Sequence, residues 1–233
     1  MLDELAFPPA VVLGLWLNAA QTRSVSITDA ANAIETITSQ IDVSRSNGSH
    51  DALDSTWLDL VKLVAAAKTP VAVGLPVDGD PAGVPRSVLA MLDRHFGVVA
   101  INPNLLLFKS LEDGWVLSAS ENTVMHYDLS QTRRSLTDQI AISAARLAAS
   151  DLVGDESEIR LALNEFRSLH LPPHLSKRST DALESAAKIL IVARGAKLNS
   201  EAMHSPSVDR LRLQTLEELI EKSRGVLQSV VTT

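Results

Sequence analysis

The sequence contains no cysteine among its 233 residues, and aromatic side chains make up only 3% of it. The absence of cysteine excludes disulfides, zinc ribbons, iron–sulfur clusters and thiol catalysis. Because aromatic residues are scarce, Leu, Ala, Val and Ile must fill the hydrophobic core. Hydrophobic residues account for 45% of the chain and charged residues for 21%, which is the composition of a folded globular protein.

Apolar runs long enough to cross a membrane are absent as well. The nearest candidate is residues 5–20, but Pro8 and Pro9 interrupt this stretch. Asp3 and Glu4 precede it, at the place where a signal peptide carries basic residues. We therefore expect a cytoplasmic protein that does not bind a membrane.

Basic residues are scarce in the first quarter of the chain. The formal net charge is -7, and residues 1–60 hold eight acidic and two basic side chains. An acidic surface repels the phosphate backbone, and the second predicted helix carries no Lys or Arg that could read a DNA groove. We expect no nucleic-acid partner. The acidic quarter is either a solvated surface or faces a basic patch on a protein partner.

Motifs that would identify an enzyme are also missing: the sequence has no Gly-x-Ser-x-Gly, His-Glu-x-x-His, Walker A or Gly-x-Gly-x-x-Gly pattern. His170 and His174 have the spacing of a helical metal pair, but Pro172 and Pro173 lie between them, which favours two loop histidines. We expect no catalytic residue, no cofactor and no metal site. A triad assembled from distant residues remains open.

Helical patterns dominate both ends of the chain. Pro8-Pro9 predicts the start of the first helix, Ser26-Ile27-Thr28-Asp29 has the form of a capping box, and a third helix is predicted at about 54–68. Residues 44–49 are predicted to be a flexible loop. After residue 130, further helices are predicted to begin at the positions Ser135, Asp155, Thr180 and Ser205-Pro206.

The middle of the chain has strand patterns. Residues 71–75 alternate like a strand, and residues 98–101 and 123–127 are further candidates. A short helix is predicted at about 86–95. Asp113-Gly114 lies between two apolar runs, which predicts a hairpin with a type I′ turn. Residues 70–128 are therefore expected to form a small, largely antiparallel sheet.

Together these patterns predict an α+β fold that is rich in helices. The small sheet is expected in the first half of the chain, and a helical bundle in the second half. The predicted division is residues 1–130 for the α+β part and residues 131–233 for the helical part. The two parts either fold separately or share one core.

Asp78-Gly79-Asp80 is the segment of the sequence that most suggests a ligand site. Two carboxylates two residues apart could bind a hard cation or accept a hydrogen bond from a substrate hydroxyl. The alternative is a structural turn, in which Asp80 accepts hydrogen bonds from nearby backbone groups. Asp78, Gly79 and Asp80 are thus candidate ligand-binding residues.

The chain resembles a family of uncharacterised actinobacterial cytosolic proteins. Three segments carry the resemblance: the apolar helix Leu13-Gly14-Leu15-Trp16-Leu17, a Leu-Pro-x-x-Gly-Asp-Pro-x-Gly loop at residues 75–83, and Leu171-Pro172-Pro173. Asp78 stands where that family more usually has proline. The resemblance implies an actinobacterial cytosolic origin and no particular activity.

Two functions are compatible with these patterns. The first is a non-enzymatic interaction or regulatory protein, bound to a protein partner or to a second copy of itself. It is favoured by the missing catalytic motifs, the acidic first quarter and the abundant apolar helices. The alternative is a small-molecule-binding or metal-binding enzyme that uses the loop Asp78-Gly79-Asp80.

Overall fold

The structure, a computed structural model, describes residues 5–38, 43–46, 56–67, 69–77, 79–111, 114–147, 156–198 and 206–233. The helices are α1 (Pro9–Gln21), α2 (Ile27–Thr38), α3 (Trp57–Ala66), α4 (Arg86–Leu89), α5 (Leu129–Leu147), α6 (Glu156–Ser168), α7 (Lys177–Leu198) and α8 (Pro206–Val231). The strands are β1 (Val43–Ser46), β2 (Ala72–Gly74), β3 (Val98–Asn102), β4 (Leu105–Ser110) and β5 (Gly114–Ala119).

The strands form one sheet in the order β1-β5-β4-β3-β2. Strands β2 to β5 pair antiparallel with their neighbours, whereas β1 pairs parallel with β5 at the opposite edge from β2. The α+β prediction, with a largely antiparallel sheet in the first half and helices after it, is confirmed.

The sheet is buried on both faces because its strands alternate between two hydrophobic clusters. Val73, Val99 and Leu107 belong to the larger cluster, which the helices cover. Val98 and Phe108 belong to a smaller cluster on the opposite face. Residues 84–92, which include α4, cover that second face.

The last helix, α8, holds the two parts of the chain together. It packs against α5, α7, α1 and β2. Val226, Leu227 and Val230 of α8 lie in the same cluster as α1 and the sheet. The larger hydrophobic cluster therefore draws residues from both sides of residue 130, and the predicted division at that point stays a prediction.

Some helix starts follow the predicted signals, whereas the starts predicted at Ser135 and Thr180 do not. The helix expected to begin at Thr180 already begins at Lys177. Ser26 Oγ accepts a hydrogen bond from the Asp29 backbone N–H at 3.0 Å, as the capping pattern predicts. The predicted start at Ser135 is wrong, because α5 already begins at Leu129. Asp128 caps that helix by accepting from the Gln131 N–H at 2.8 Å.

Three predicted segments of the sheet differ from the structure. Residues 43–46 form β1 instead of part of a loop. The hairpin of β4 and β5 is confirmed, but its predicted two-residue turn is wrong, because Ser110 pairs with Gly114. Residues 123–127, all of which the structure describes, form no strand. Their start is fixed instead by the Thr123 N–H, which donates to the Gly83 carbonyl at 3.0 Å.

Candidate functional site

Side chains from α1 and α8 bind the outer edge of β2. Val71 and Val73 point their carbonyl oxygens away from β3, and an edge of this kind needs hydrogen-bond partners when it is buried. Asn18 Nδ2 donates to the Val71 oxygen at 3.1 Å, and the Val71 N–H donates to Asn18 Oδ1 at 3.0 Å. Gln228 Nε2 donates to the Val73 oxygen at 3.1 Å. The edge is therefore closed by side chains instead of a further strand.

Arg224 continues this row of donors and is the most buried charged side chain near the loop. It is 3% exposed, and its Nη2 donates to the carbonyl oxygen of Leu75. The same Nη2 forms an ion pair with Asp80 Oδ2 at 3.2 Å. Burial lowers the pKa of Arg224, while the Asp80 carboxylate opposes that shift by stabilising the charged form.

The loop predicted as a ligand site contains a tight turn. The Val77 N–H donates to the Asp80 carbonyl at 2.9 Å, and the Asp80 N–H donates back at 3.1 Å. Asp80 Oδ1 accepts from the Ala82 N–H at 3.0 Å. Gly79 has φ of 83° and open space around it, whereas Asp78 lies outside the described residues. The side chain of Asp80 contacts another part of the fold, because it pairs with Arg224 of α8.

Asp80 also lines a cavity of about 270 Å³ between this turn, the start of α5 and the C-terminal half of α8. We call it the polar cavity. Its lining residues carry carboxylate, hydroxyl, amide, ammonium and guanidinium groups, with one glycine among them. They are Asp80, Tyr127, Asp128, Gln131, Thr132, Ser135, Glu221, Lys222, Arg224, Gly225 and Gln228.

A second cavity, of about 330 Å³, lies between α5, α7 and α8. We call it the apolar groove, because its exposed lining surface is contributed by apolar atoms alone. Its lining residues are Ile140, Ser143, Ala144, Leu147, Lys188, Ile189, Val192, Ala193, Ala196, Leu216 and Leu219. Ile140 and Val192 are 38% and 46% exposed, so large apolar side chains of this groove face solvent.

The two histidines with metal-like spacing both line a further cavity, beside Trp16 and α2. The ring of His170 stacks on Trp16 with centroids 5.6 Å apart, and Trp16 Nε1 donates to the His170 carbonyl at 2.9 Å. His174 lies in the turn after Pro172. Within the part of the chain that the structure describes, no group of three or more His, Asp or Glu side chains is placed to hold a metal ion.

The helices that the structure describes are unlike membrane-spanning helices in length and hydropathy. Across the described ranges, none is both long enough and apolar enough to cross a bilayer. The apolar face of the longest helix, α8, is instead occupied by the core.

Sequence reasoning identified Asp80 but missed Arg224, Gln228 and the apolar groove. Arg224 and Gln228 lie in a helix whose sequence pattern is amphipathic, and in such a helix Arg and Gln are expected on the solvent side. Their partners are 144 to 155 positions away along the chain. The available signal was Gly225 beside Arg224, a residue type that helices disfavour at interior positions.

The first part of the chain is similar to a known protein family. Residues 10–106 match the family model described as Rv1486c-like protein, N-terminal domain. The matched part runs from α1 into β4 and is less than half of the chain. Rv1486c is a mycobacterial protein, so this match agrees with the resemblance to actinobacterial proteins, and it assigns no activity.

Comparisons with individual curated proteins and with solved structures assign no activity either. No curated protein matches the chain, and no solved structure matches it. We therefore infer function from the geometry of the polar cavity and the apolar groove.

Proposed function

We propose that this chain is a non-enzymatic interaction protein whose apolar groove binds one helix of a partner protein. The observation that carries the proposal is the groove itself, whose exposed lining is apolar and comes from three helices. Contiguous apolar surface of this kind marks interaction sites in proteins that otherwise bury such side chains. A cytoplasmic location is part of the same proposal.

The arrangement of the three helices favours a helical occupant. Both α5 and α7 pack against α8, and Leu216 and Leu219 of α8 lie between them in the groove. Ala193 and Ala196 are buried and pack with these leucines, so they form the floor of the groove between α7 and α8. An amphipathic helix laid along this groove would complete a four-helix arrangement.

The charge at the groove indicates what the partner helix carries beside its apolar stripe. Lys188 lines the groove, and its ammonium lies 3.4 Å from Glu184 on the same helix. Both side chains are about half exposed, so this pair stabilises little. We expect a carboxylate on the partner helix that contacts Lys188 and fixes the direction of the helix.

Site-specific photocrosslinking tests this proposal. A photoreactive amino acid replaces Val192, and crosslinked peptides from the native host are sequenced by mass spectrometry. The matched control carries the same amino acid at Leu161 of α6, which is 45% exposed and lies outside the groove. Position 192 is expected to capture a peptide of another protein, with apolar residues at helical spacing and an acidic residue beside them.

Two outcomes would overturn the proposal. One is a crosslinking yield at position 192 no higher than at position 161. The other is a crosslinked peptide that comes from a second copy of this chain or that lacks an apolar helical stripe.

A second candidate function is the binding of a small molecule beside Asp78-Gly79-Asp80. The observation that favours it is the position of Asp80, whose carboxylate lines the polar cavity and pairs with buried Arg224. Binding there is compatible with the interaction function, because the polar cavity and the apolar groove share no lining residue.

A further inference from the structure

The three glycines within the long helices differ in what surrounds them. A Cβ atom added to Gly14 would lie 2.7 Å from Val73 Cγ2, and one added to Gly195 would lie 2.6 Å from Ile159 Cγ1. Close packing therefore requires glycine at both positions. At Gly225 an added Cβ would meet one atom, Thr132 Cγ2, at an ordinary 3.8 Å.

Packing therefore gives no reason for glycine at position 225. The residue lies well inside α8, where glycine is less favourable than alanine because it has more backbone freedom to lose on folding. The space that a side chain would take belongs to the polar cavity, which Gly225 lines. We propose that Gly225 keeps this cavity open, and that the cavity binds a small neutral polyhydroxylated molecule, the size of a single sugar ring.

The charges of the cavity favour a neutral ligand. Lys222 is paired with Glu221 at 2.7 Å, and Arg224 is paired with Asp80 at 3.2 Å. Each basic group thus already has a carboxylate beside it, and a bound anion would be repelled by these acids. Asp128 accepts a hydrogen bond from the Gln131 N–H, which satisfies part of its capacity without a cation.

The remaining polar groups favour hydroxyls on the ligand. A hydroxyl both donates and accepts, so it can bond to carboxylates, amides and cationic donors within one site. The cavity offers carboxylate acceptors, the amide of Gln131 and the hydroxyl of Ser135, beside the ring of Tyr127. An aromatic ring can cover the apolar face of a sugar while the polar side chains bind its edge.

The size of the cavity indicates how large a ligand it can enclose. Its volume of about 270 Å³ lies below the range that drug-sized ligands usually occupy. A ligand that the cavity encloses is therefore about the size of a single sugar ring.

Chemical-shift mapping of the labelled protein tests the inference. The probes are D-glucose, D-ribose and myo-inositol, each added up to about 50 mM so that millimolar affinity is detected. Ethanolamine and citrate serve as cationic and anionic comparisons. At least one polyol is expected to shift the amide resonances of residues 127–135 and 221–228.

Variants of the lining residues test whether the chemical-shift changes come from binding in the polar cavity. Gly225→Leu places a side chain in the space and is expected to abolish the shifts. Gln131→Ala, at an exposed position of the lining, is expected to weaken binding at least threefold without altering the fold. Asp138→Ala lies on the same helix outside the cavity and is expected to bind as the unmodified protein does.

The inference is overturned if none of the three polyols shifts these resonances, or if only ethanolamine or citrate does. It is also overturned if a polyol shifts these resonances in Gly225→Leu and in Gln131→Ala as strongly as in the unmodified protein. The interaction function does not depend on the result, because the crosslinking position 192 lies in the apolar groove.

Discussion

At the scale of single residues, Arg224 makes a buried contact that should stabilise the fold. Its guanidinium satisfies the Leu75 carbonyl and pairs with Asp80, whose own side chain is 55% exposed. Loss of the arginine would leave the buried carbonyl without its donor, whereas water can solvate the exposed carboxylate. The carbonyl contact, more than the ion pair, should therefore determine the cost.

Arg224→Met keeps most of the buried volume and removes the donor. We expect the free energy of unfolding to fall by about 2 kcal/mol, the cost of one unsatisfied buried polar group. Urea denaturation measures this change. Lys222→Met, which alters a more exposed neighbour, is the control and should change stability by less than about 0.5 kcal/mol. Equal losses in the two variants would contradict this assignment.

The helical glycines give a pair of opposite predictions. Gly225→Ala should raise the free energy of unfolding by about 1 kcal/mol, because alanine is the better helix residue and its methyl meets no obstacle. Gly14→Ala should lower it by about 1–3 kcal/mol, because the methyl would overlap Val73 and Val231. Thermal unfolding of both variants checks the signs. A loss of stability in Gly225→Ala would contradict the open space described at that position.

At the scale of elements, the short strand β2 depends on side chains that replace a neighbouring strand. Asn18 both donates to and accepts from the backbone of Val71, so one amide group holds the start of the strand. Asn18→Ala should lower stability by about 2 kcal/mol, because it leaves buried backbone groups unpaired. The matched control is Asn32→Ala on the exposed side of α2.

Hydrogen exchange of the Val71 amide gives a local measure of the same contact. In Asn18→Ala this amide should exchange faster than in Asn32→Ala by more than the global loss of stability explains. Unchanged relative protection of Val71 would mean that Asn18 does not hold the edge of β2.

The start of α3 gives a prediction about pH. The Thr56 hydroxyl donates to Asp59 Oδ2 at 2.8 Å, and this bond, together with Lys62, lowers the pKa of Asp59 below its usual value. Thr56→Ala should move that pKa upward, whereas Thr56→Ser should keep it low. NMR titration of the Asp59 carboxyl measures both.

The sign of the effect on stability follows from the lowered pKa. The hydrogen bond to the charged carboxylate makes the unmodified protein more stable to unfolding than Thr56→Ala. This difference in the free energy of unfolding is fully present above the unfolded-state pKa of Asp59, about 3.9. It is lost as the pH falls through the lower folded-state pKa. An advantage that grows on acidification would contradict the hydrogen bond.

The elements also show which parts of the fold the sequence can predict. The helix that begins at Pro206 and the pairing of β4 with β5 follow from local signals, and both are confirmed. Strand β1 has no such signal, because Val-Ser-Arg-Ser lacks an apolar alternation and pairs with a strand about 70 positions later. The Ser-x-x-Asp pattern at Ser135 was misleading, because it lies inside α5.

At the scale of the whole molecule, the sheet depends on a helix from the other end of the chain. Val231 of α8 lies close to Gly14 and Val73, and Asn18 Nδ2 donates to the Val231 carbonyl. These contacts could not be predicted locally, because they join positions more than 150 residues apart. The candidate site shares this property, since Asp80 was visible in the sequence and its partner Arg224 was not.

A fragment of residues 1–130 should therefore fail to fold cooperatively. It would expose the edge of β2 and the apolar residues that α7 and α8 cover. The full chain should unfold in one transition, with a steeper dependence on urea than the fragment shows. Circular dichroism during urea denaturation measures both. A cooperative transition of the isolated fragment would show instead that the predicted division at residue 130 separates independent domains.

The most direct test of the interaction function is the affinity of the apolar groove for its helix. The segment captured from position 192 is synthesised as a labelled peptide, and fluorescence anisotropy measures its binding to the protein, to Val192→Glu and to Leu161→Glu. A charge on the lining of the groove should weaken binding at least about tenfold, whereas Leu161→Glu should leave it unchanged. Equal affinity of the unmodified protein and Val192→Glu for the peptide would contradict the proposed groove.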